Sequence, residues 1–108
     1  MKTPKSFVGK WSIVKTELWN KEALDLVVPA HITFMKNGLG HFQIIAVQGA
    51  IDCRFEGNRV EFSWVGDDEG DPANGRGWAE VRDDGSLCGR LYFHQGDDSS
   101  FVAKRTKE

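Results

Sequence analysis

The 108 residues are enough for one hydrophobic core and too few for two, so we expect a single domain over residues 1–108. The 14 Lys and Arg residues nearly balance the 16 Asp and Glu residues, and a net charge of −2 gives no reason to expect nucleic-acid or anionic-membrane partners. The longest apolar runs are four or five residues, so no transmembrane span and no secretory leader are expected.

Short segments of alternating apolar and polar residues recur along the chain between turn residues, and this pattern predicts an all-β protein. The eight predicted strands, A to H, are residues 7–19, 30–36, 39–49, 50–56, 59–66, 75–83, 86–94 and 99–105. One short helix is predicted between strands A and B, over residues 20–28, because Asn20 can cap it and Pro29 would end it. Short connections throughout favour an eight-stranded antiparallel up-and-down barrel over a flattened sandwich of the same strands.

Cross-strand pairing predicts which side chains face the interior. A turn at Gly57-Asn58 places Arg54 opposite Glu61, and a turn over residues 84–86 places Glu80 opposite Arg90. In these registers most of the aromatic side chains point inward, and we expect them to fill most of the barrel: Trp11, Phe34, Phe42, Phe55, Phe62, Trp64, Phe93 and Phe101.

Cys53 and Cys88 are the only cysteines, and the strand phases place Cys53 inward and Cys88 outward. Two thiols on opposite faces of a sheet cannot form a disulfide. Because unpaired thiols are typical of a reducing compartment, we expect a cytoplasmic protein.

The two ends of the predicted barrel differ. The connections at residues 36–38, 57–58 and 84–86 are tight turns containing glycine, so this end is predicted to be closed. The other end carries the helix, an acidic loop over residues 67–74 and a loop over residues 95–98. Because functional residues concentrate on irregular loops, this open end is the predicted site.

Two sequence resemblances accompany this pattern. Gly9-Lys10-Trp11 on strand A, with Arg105 at the end of strand H, resembles the motif of lipocalins, which belong with avidins and fatty-acid-binding proteins to the calycin group. That resemblance implies a barrel that binds a ligand at its open end, with Trp11 and Arg105 stacked at the closed end. A second resemblance, to a family of small uncharacterised bacterial proteins, implies no activity and is carried by residues 68–72, 75–78 and 93–99.

The acidic residues of the open end do not have the spacing of a calcium loop. If Asp67 is taken as the first ligand, Pro72 stands where glycine is required and Trp78 stands where the bidentate glutamate belongs. We therefore predict a solvated acidic surface and no metal site. No phosphate-binding loop, dinucleotide fingerprint or haem attachment motif is present, so no cofactor is expected.

Strand A leaves two interpretations open. Unbroken alternation from Trp11 places Lys15, Glu17 and Trp19 inward, as part of a polar patch that orients a ligand, whereas a β-bulge near Lys15 turns the charged side chains outward. The candidate ligand-binding residues are Glu17, Trp19, Gln48, Trp64, Arg76 and His94.

The leading functional hypothesis is the binding of a small apolar or amphipathic molecule at the open end. The alternative is a non-catalytic module that forms a homodimer through outward-facing Trp78, Tyr92 and Val102. A second alternative is an enzyme that uses His94 or Glu17. No nucleophile motif surrounds Ser99 or Ser100, and no catalytic residue is assigned.

Overall fold

A computed structural model describes residues 2–106 and shows a closed barrel of eight antiparallel strands, each hydrogen-bonded to the next in chain order. The elements are β1 Gly9–Thr16, α1 Lys21–Leu24, β2 His31–Phe34, β3 Leu39–Ile44, β4 Val47–Glu56, β5 Arg59–Asp68, β6 Asp71–Val81, β7 Leu87–Phe93 and β8 Asp98–Arg105. The predicted all-β up-and-down barrel with a short helix between its first two strands is confirmed.

The boundary between the third and fourth strands was predicted at the wrong place. Strand β3 ends at Ile44 and β4 begins at Val47, with a two-residue turn between them and Ile44 paired with Val47. The sequence pattern predicts a continuous strand over residues 44–47, because all four are apolar and none is a usual turn former. The turn resets the alternation, so Val47 is buried and Gln48 is exposed.

The predicted acidic loop over residues 67–74 is a hairpin instead. Strands β5 and β6 continue as far as the pair Asp68 and Asp71, with Glu69 and Gly70 as the turn. The pairing of β6 with β7 begins only at Gly75. Pro72 therefore lies in the projecting part of the hairpin, where the absence of an N–H donor on a free edge costs no sheet hydrogen bond.

One predicted register is confirmed and one is wrong. Arg54 pairs with Glu61 across β4 and β5 as expected. Across β6 and β7, however, Glu80 pairs with Cys88, and Arg90 pairs with Trp78. The turn is centred on Asp84 because the Arg82 N–H donates to the Ser86 carbonyl at 2.8 Å. This shift of two residues keeps every side chain on its predicted face and changes only its partner.

Strand β1 contains the predicted bulge. Its register with β8 shifts between Ile13, which pairs with Ala103, and Lys15, which pairs with Val102. Lys15 and Glu17 are exposed as a result. The bulge is therefore the correct interpretation of strand A, and the inward polar patch is not formed.

The helix is shorter than predicted. It covers only Lys21–Leu24, with the Asn20 side chain accepting a hydrogen bond from the Ala23 N–H at 2.9 Å. It stops at Asp25, whose carboxylate accepts hydrogen bonds from the Ala30 N–H and the Lys21 ammonium. These contacts lower the pKa of Asp25, with the Ala30 bond the largest cause. Leu24 is buried, whereas Leu26 and Val27 are exposed instead of forming an apolar helix face.

The barrel interior is packed with side chains from all eight strands. Six of the aromatic residues predicted to point inward are buried, and Phe55 and Phe93 are partly buried against the core. Space for these rings comes from glycines. A Cβ added at Gly49 would collide with the Phe42 ring, and one added at Gly77 would collide with the Phe62 ring. Large and small residues thus interlock across neighbouring strands.

The cysteines lie as predicted. Cys53 is buried in the core and Cys88 is half-buried on the outer face, with no disulfide between them. Burial, with a smaller contribution from Asp52, raises the pKa of the Cys53 thiol to about 12. The inner thiol is therefore a small apolar core residue without thiolate character.

Candidate functional site

Side chains fill most of the barrel interior in the part of the chain that the structure describes, residues 2–106. A void of about 10 Å³ lies among them, bordered by Ile13, Phe42, Leu91 and Phe101. Holding one water requires roughly 10–15 Å³. Any ligand of molecular size must therefore contact this protein at its ends or on its outer surface.

The open end carries a shallow depression of about 370 Å³, which we call the cup. It lies above the filled core, where three hairpin turns and the segment before α1 come together. Its lining combines apolar and acidic side chains: Trp19, Ile45, Val47, Asp68, Phe93, His94, Gly96 and Asp97.

Aromatic rings form the wall of the cup. Trp19 and Phe93 lie edge to face with their centroids 6.2 Å apart, and Phe93 in turn packs on buried Trp64 at 5.2 Å. The Trp64 indole N–H donates to the Tyr92 carbonyl at 3.1 Å, which fixes the ring beneath the cup. Thr16 positions Trp19, because its hydroxyl donates to the Trp19 carbonyl and accepts from the Trp19 N–H.

The three hairpin turns around the cup share an unusual backbone conformation. Ile45, Glu69 and Gln95 each adopt a positive φ, at 56°, 54° and 56°. A side chain with a Cβ is disfavoured in this region, most of all a β-branched one such as isoleucine. The Ile45 N–H donates to the Leu24 carbonyl at 2.8 Å, so the α1 segment holds this turn in place.

The polar lining of the cup is acidic. Asp68 is the last residue of β5, Asp97 lies in the turn before β8, and His94 follows the end of β7. Within residues 2–106, neither carboxylate forms a salt bridge, and no Lys or Arg lines the cup. The cup thus presents uncompensated negative charge beside aromatic rings.

The predicted ligand-binding residues are divided between the cup and the outer surface. Trp19 and His94 line the cup, and Trp64 supports it from below. Glu17 lies outside, where its carboxylate pairs with the Arg90 guanidinium at 3.0 Å. Gln48 is exposed because of the turn at residues 45–46.

Arg76 also faces outward, and its guanidinium lies 5.2 Å from the centroid of the Tyr92 ring. It shares a separate cleft of about 360 Å³ with Asn74 and His94 on the outside of the barrel wall. His94 therefore borders both this cleft and the cup, whereas Arg76 lines the cleft and not the cup.

The sequence did not single out Ile45, Val47 or Asp68 as site residues. Ile45 and Val47 sat inside an uninterrupted apolar run, and nothing in that run marks a turn at its centre. Asp68 was assigned to a solvated loop. The one available signal was Glu69-Gly70, a pair in which the glycine follows a polar residue, as in many two-residue hairpin turns.

Trp78 and Tyr92 do not face each other directly across β6 and β7. Trp78 pairs with Arg90 and Tyr92 pairs with Arg76, so the two aromatic residues are offset diagonally by two residues along the strands. The Arg59 guanidinium lies 4.3 Å from the Trp78 ring centroid and pairs with Glu80 at 3.0 Å. Val102 lies on β8 opposite Cys88. These side chains are half-buried, and each aromatic ring is partly covered by an arginine.

The closed end matches the expectation from the resemblance. The Arg105 guanidinium stacks 4.3 Å above the ring of buried Trp11 and donates to the carbonyls of Val8 and Ser6 at 2.6 and 2.7 Å. Gly9 has φ of +118°, and a Cβ there would lie 3.1 Å from the guanidinium. Phe7, which lies outside the strands, is fully buried against Phe34 and Phe55 and seals this end.

Comparison with protein-family models and with curated proteins finds no match for the chain. Within residues 2–106, no helix combines the length and apolar character that crossing a bilayer requires.

Proposed function

We propose that this protein binds a small amphipathic molecule in the cup at the open end of the barrel. The observation that carries the proposal is the pairing of an apolar, aromatic wall with two unpaired carboxylates in one depression of about 370 Å³. Small-molecule sites are typically concave, mostly apolar and equipped with a few polar groups that fix orientation. A small calycin-like barrel with a filled interior would hold such a ligand at its mouth.

The apolar part of the ligand would pack on Trp19, Ile45 and Phe93. All three side chains are partly buried, so part of each is accessible to a ligand while the rest is held by the core. Covering the remaining apolar surface contributes about 25 cal/mol per Å². Because the rings are already ordered, little side-chain entropy is lost on binding.

The polar group of the ligand would be cationic. Asp68 and Asp97 place two negative charges at the edge of the cup, and Trp19 and Phe93 line it with aromatic rings, a type of group that attracts a cation through its quadrupole. An ammonium group satisfies both features, whereas a carboxylate would be repelled by the two aspartates. We therefore assign the ligand to the class of alkyl or aromatic amines.

The test compares three probes with the same alkyl chain: octylammonium, octanol and octanoate, each below its micellar concentration. Binding is measured by isothermal titration calorimetry and by the change in tryptophan fluorescence at pH 7. We expect saturable binding of octylammonium, weaker binding of octanol and the weakest binding of octanoate. Absence of saturable binding for all three probes would refute the cup as a ligand site.

Variants separate the two halves of the proposal. Trp19→Ala removes one wall and should weaken octylammonium and octanol alike, by about tenfold. Asp68→Asn should weaken octylammonium about two- to fivefold and leave octanol unchanged. Asp67→Asn is the matched control, because it removes the same charge from the neighbouring residue, whose side chain lines the outer face instead of the cup.

A second candidate function is self-association through the outer aromatic residues. The observation that favours it is the grouping of Trp78 and Tyr92 with Arg59 and Arg76 on neighbouring strands, since Trp, Tyr and Arg are the residue types most enriched at interface hot spots. Sedimentation velocity over a wide concentration range tests this idea. A dimer that Trp78→Ser dissociates would support it, and a monomer at every concentration would exclude it.

A further inference from the structure

A pair of histidines lies on the outer surface of the barrel, apart from the cup. His31 on β2 pairs with Gln43, and His41 on β3 pairs with Thr33, so the two histidines are diagonal neighbours on the same outward face. Their ring centroids are 5.8 Å apart and their planes are inclined by 80°. At this separation, a metal ion about 2.0–2.1 Å from one nitrogen of each ring would lie between the two rings.

The orientation of His31 leaves a lone pair available for a ligand. Its Nδ1 lies 3.1 Å from the Pro29 carbonyl oxygen. Since a carbonyl can only accept a hydrogen bond, Nδ1 carries the proton and Nε2 of the neutral ring carries the lone pair. A backbone carbonyl that holds the other ring nitrogen in this way is the usual second contact of a metal-bound histidine.

His41 is exposed on the outer face of β3, so its ring is accessible to a metal ion from solvent. Lys10 lies on β1 opposite Thr33, across β2 from His41, and is the basic side chain that opposes a bound cation here.

The two rings border a depression of about 330 Å³ that also includes Gln43, Gln48 and Asp67. Within residues 2–106, no His, Cys, Asp or Glu is close enough to form a group of three with the pair. Water or amide oxygens would therefore complete the coordination, with the Asp67 carboxylate at the edge of the depression. Such a donor set differs from the all-oxygen sites that Ca²⁺ and Mg²⁺ require.

We propose that His31 and His41 together bind one divalent late-transition-metal ion, of the class of Zn²⁺, Ni²⁺ and Cu²⁺. Imidazole nitrogen is a preferred ligand of these three ions. Two imidazoles on adjacent strands of a rigid sheet act as a chelate, because binding to the first makes the second binding step intramolecular. The site is independent of the cup and of the function proposed for it.

Isothermal titration calorimetry of the tag-free protein with NiCl₂ and ZnCl₂ at pH 7.5 tests the site. We expect one ion per chain, no heat with MgCl₂, and at least about tenfold weaker binding in either His31→Asn or His41→Asn, since each leaves a single imidazole. Lys10→Met should strengthen binding, because it removes the opposing charge. Far-ultraviolet circular dichroism checks that each variant retains the barrel.

Two controls make the assignment specific. His94→Asn removes the remaining histidine, at the other side of the molecule, and Cys88→Ser removes the half-buried thiol; neither should change the affinity. Zinc should shift the NMR ring-proton resonances of His31 and His41 and leave those of His94 unchanged. Absence of binding to the wild-type protein, or equal binding by the His31→Asn, His41→Asn double variant, would overturn the proposal.

Discussion

The chain reverses direction between strands in different ways at the two ends of this barrel. At the closed end the turns use glycines with positive φ: Gly38 at 83°, Gly57 at 60° and Gly85 at 85°. At the open end, Gly70 at 90° is joined by three residues that carry side chains, Ile45, Glu69 and Gln95. Glycine adopts this conformation without strain, whereas other residues adopt it at a cost of about 1–3 kcal/mol each.

Packing follows the same division. The closed end is sealed by buried Phe7 and locked by the stack of Arg105 on Trp11, whereas the open end leaves Trp19 and Phe93 partly exposed around the cup. Strained backbone and accessible aromatic surface persist only where the rest of the fold can tolerate them. The closed end therefore stabilises the barrel, whereas the open end leaves aromatic side chains accessible, as the proposed ligand site requires.

The largest expected effect on stability comes from replacing a tryptophan by alanine, and the two ends of the barrel each offer one tryptophan for the comparison. Trp11→Ala should lower the free energy of unfolding by about 3–5 kcal/mol, because it empties a fully enclosed site and removes the hydrogen bond from the indole to the Phe7 carbonyl. Trp19→Ala, at a half-buried site, should cost about 1–2 kcal/mol. Urea unfolding followed by circular dichroism measures both, and equal losses would contradict the division between the ends.

The next effect concerns the arginines that lie over aromatic rings. Arg105→Lys should cost about 1–2 kcal/mol, because a lysine ammonium cannot reproduce the planar stack and the two parallel hydrogen bonds to Val8 and Ser6. Arg76→Lys is the matched control. Arg76 also lies over an aromatic ring, but within the described residues its guanidinium donates no hydrogen bond to a backbone carbonyl. Arg76→Lys should therefore lower the free energy of unfolding by less than about 0.5 kcal/mol. Similar losses of unfolding free energy for the two variants would show that the hydrogen bonds of Arg105 to Val8 and Ser6 add nothing to its contact with the Trp11 ring.

These contrasts also explain what the sequence could predict. Alternation and charge pairing fixed the β4–β5 register, and glycine marked the closed-end turns, because both signals are local and follow directly from strand and turn chemistry. The turn at Ile45 left no such signal, since tertiary contacts with Leu24 and the core impose its backbone conformation. Because this turn is not predicted, the alternation places Gln48 in the interior, whereas the structure places it on the surface. One unpredicted turn thus puts a predicted site residue on the wrong face.

The same reasoning applies to the rest of the candidate site. Trp19 and His94 could be predicted because the strand order alone places them at the open end. The outward position of Glu17 depends on the bulge after Ile13, and one residue inserted in a strand reverses every side chain beyond it. Asp68 could not be assigned to the cup until the acidic segment was known to be a hairpin.

A smaller effect, with the opposite sign, tests the strain at the open end. Glu69→Asn should raise the free energy of unfolding by about 1 kcal/mol, because Asn-Gly is the preferred pair for a two-residue turn with positive φ at both positions. Glu69→Gln is the control, since it removes the charge and keeps a side chain that disfavours this backbone. If Gln stabilises as much as Asn, relief of charge repulsion along the hairpin is responsible and the turn is not strained.

The smallest expected effect is a pH dependence on the outer face, which belongs to neither end. Burial lowers the pKa of His41 in the folded protein below its ordinary value of 6.5. At pH values between the folded pKa and 6.5, the unfolded chain therefore binds a proton that the folded chain does not. Stability should therefore fall as the pH is lowered from about 6.5 through the folded pKa. His41→Asn should flatten this part of the profile, measured as the urea midpoint from pH 7.5 to 5.5. An equal slope in the wild type and His41→Asn would assign the acid sensitivity in this range to other groups. Asp25 is not one of them, because its pKa is lowered in the fold from 3.8 and its stabilising contribution is lost only at lower pH.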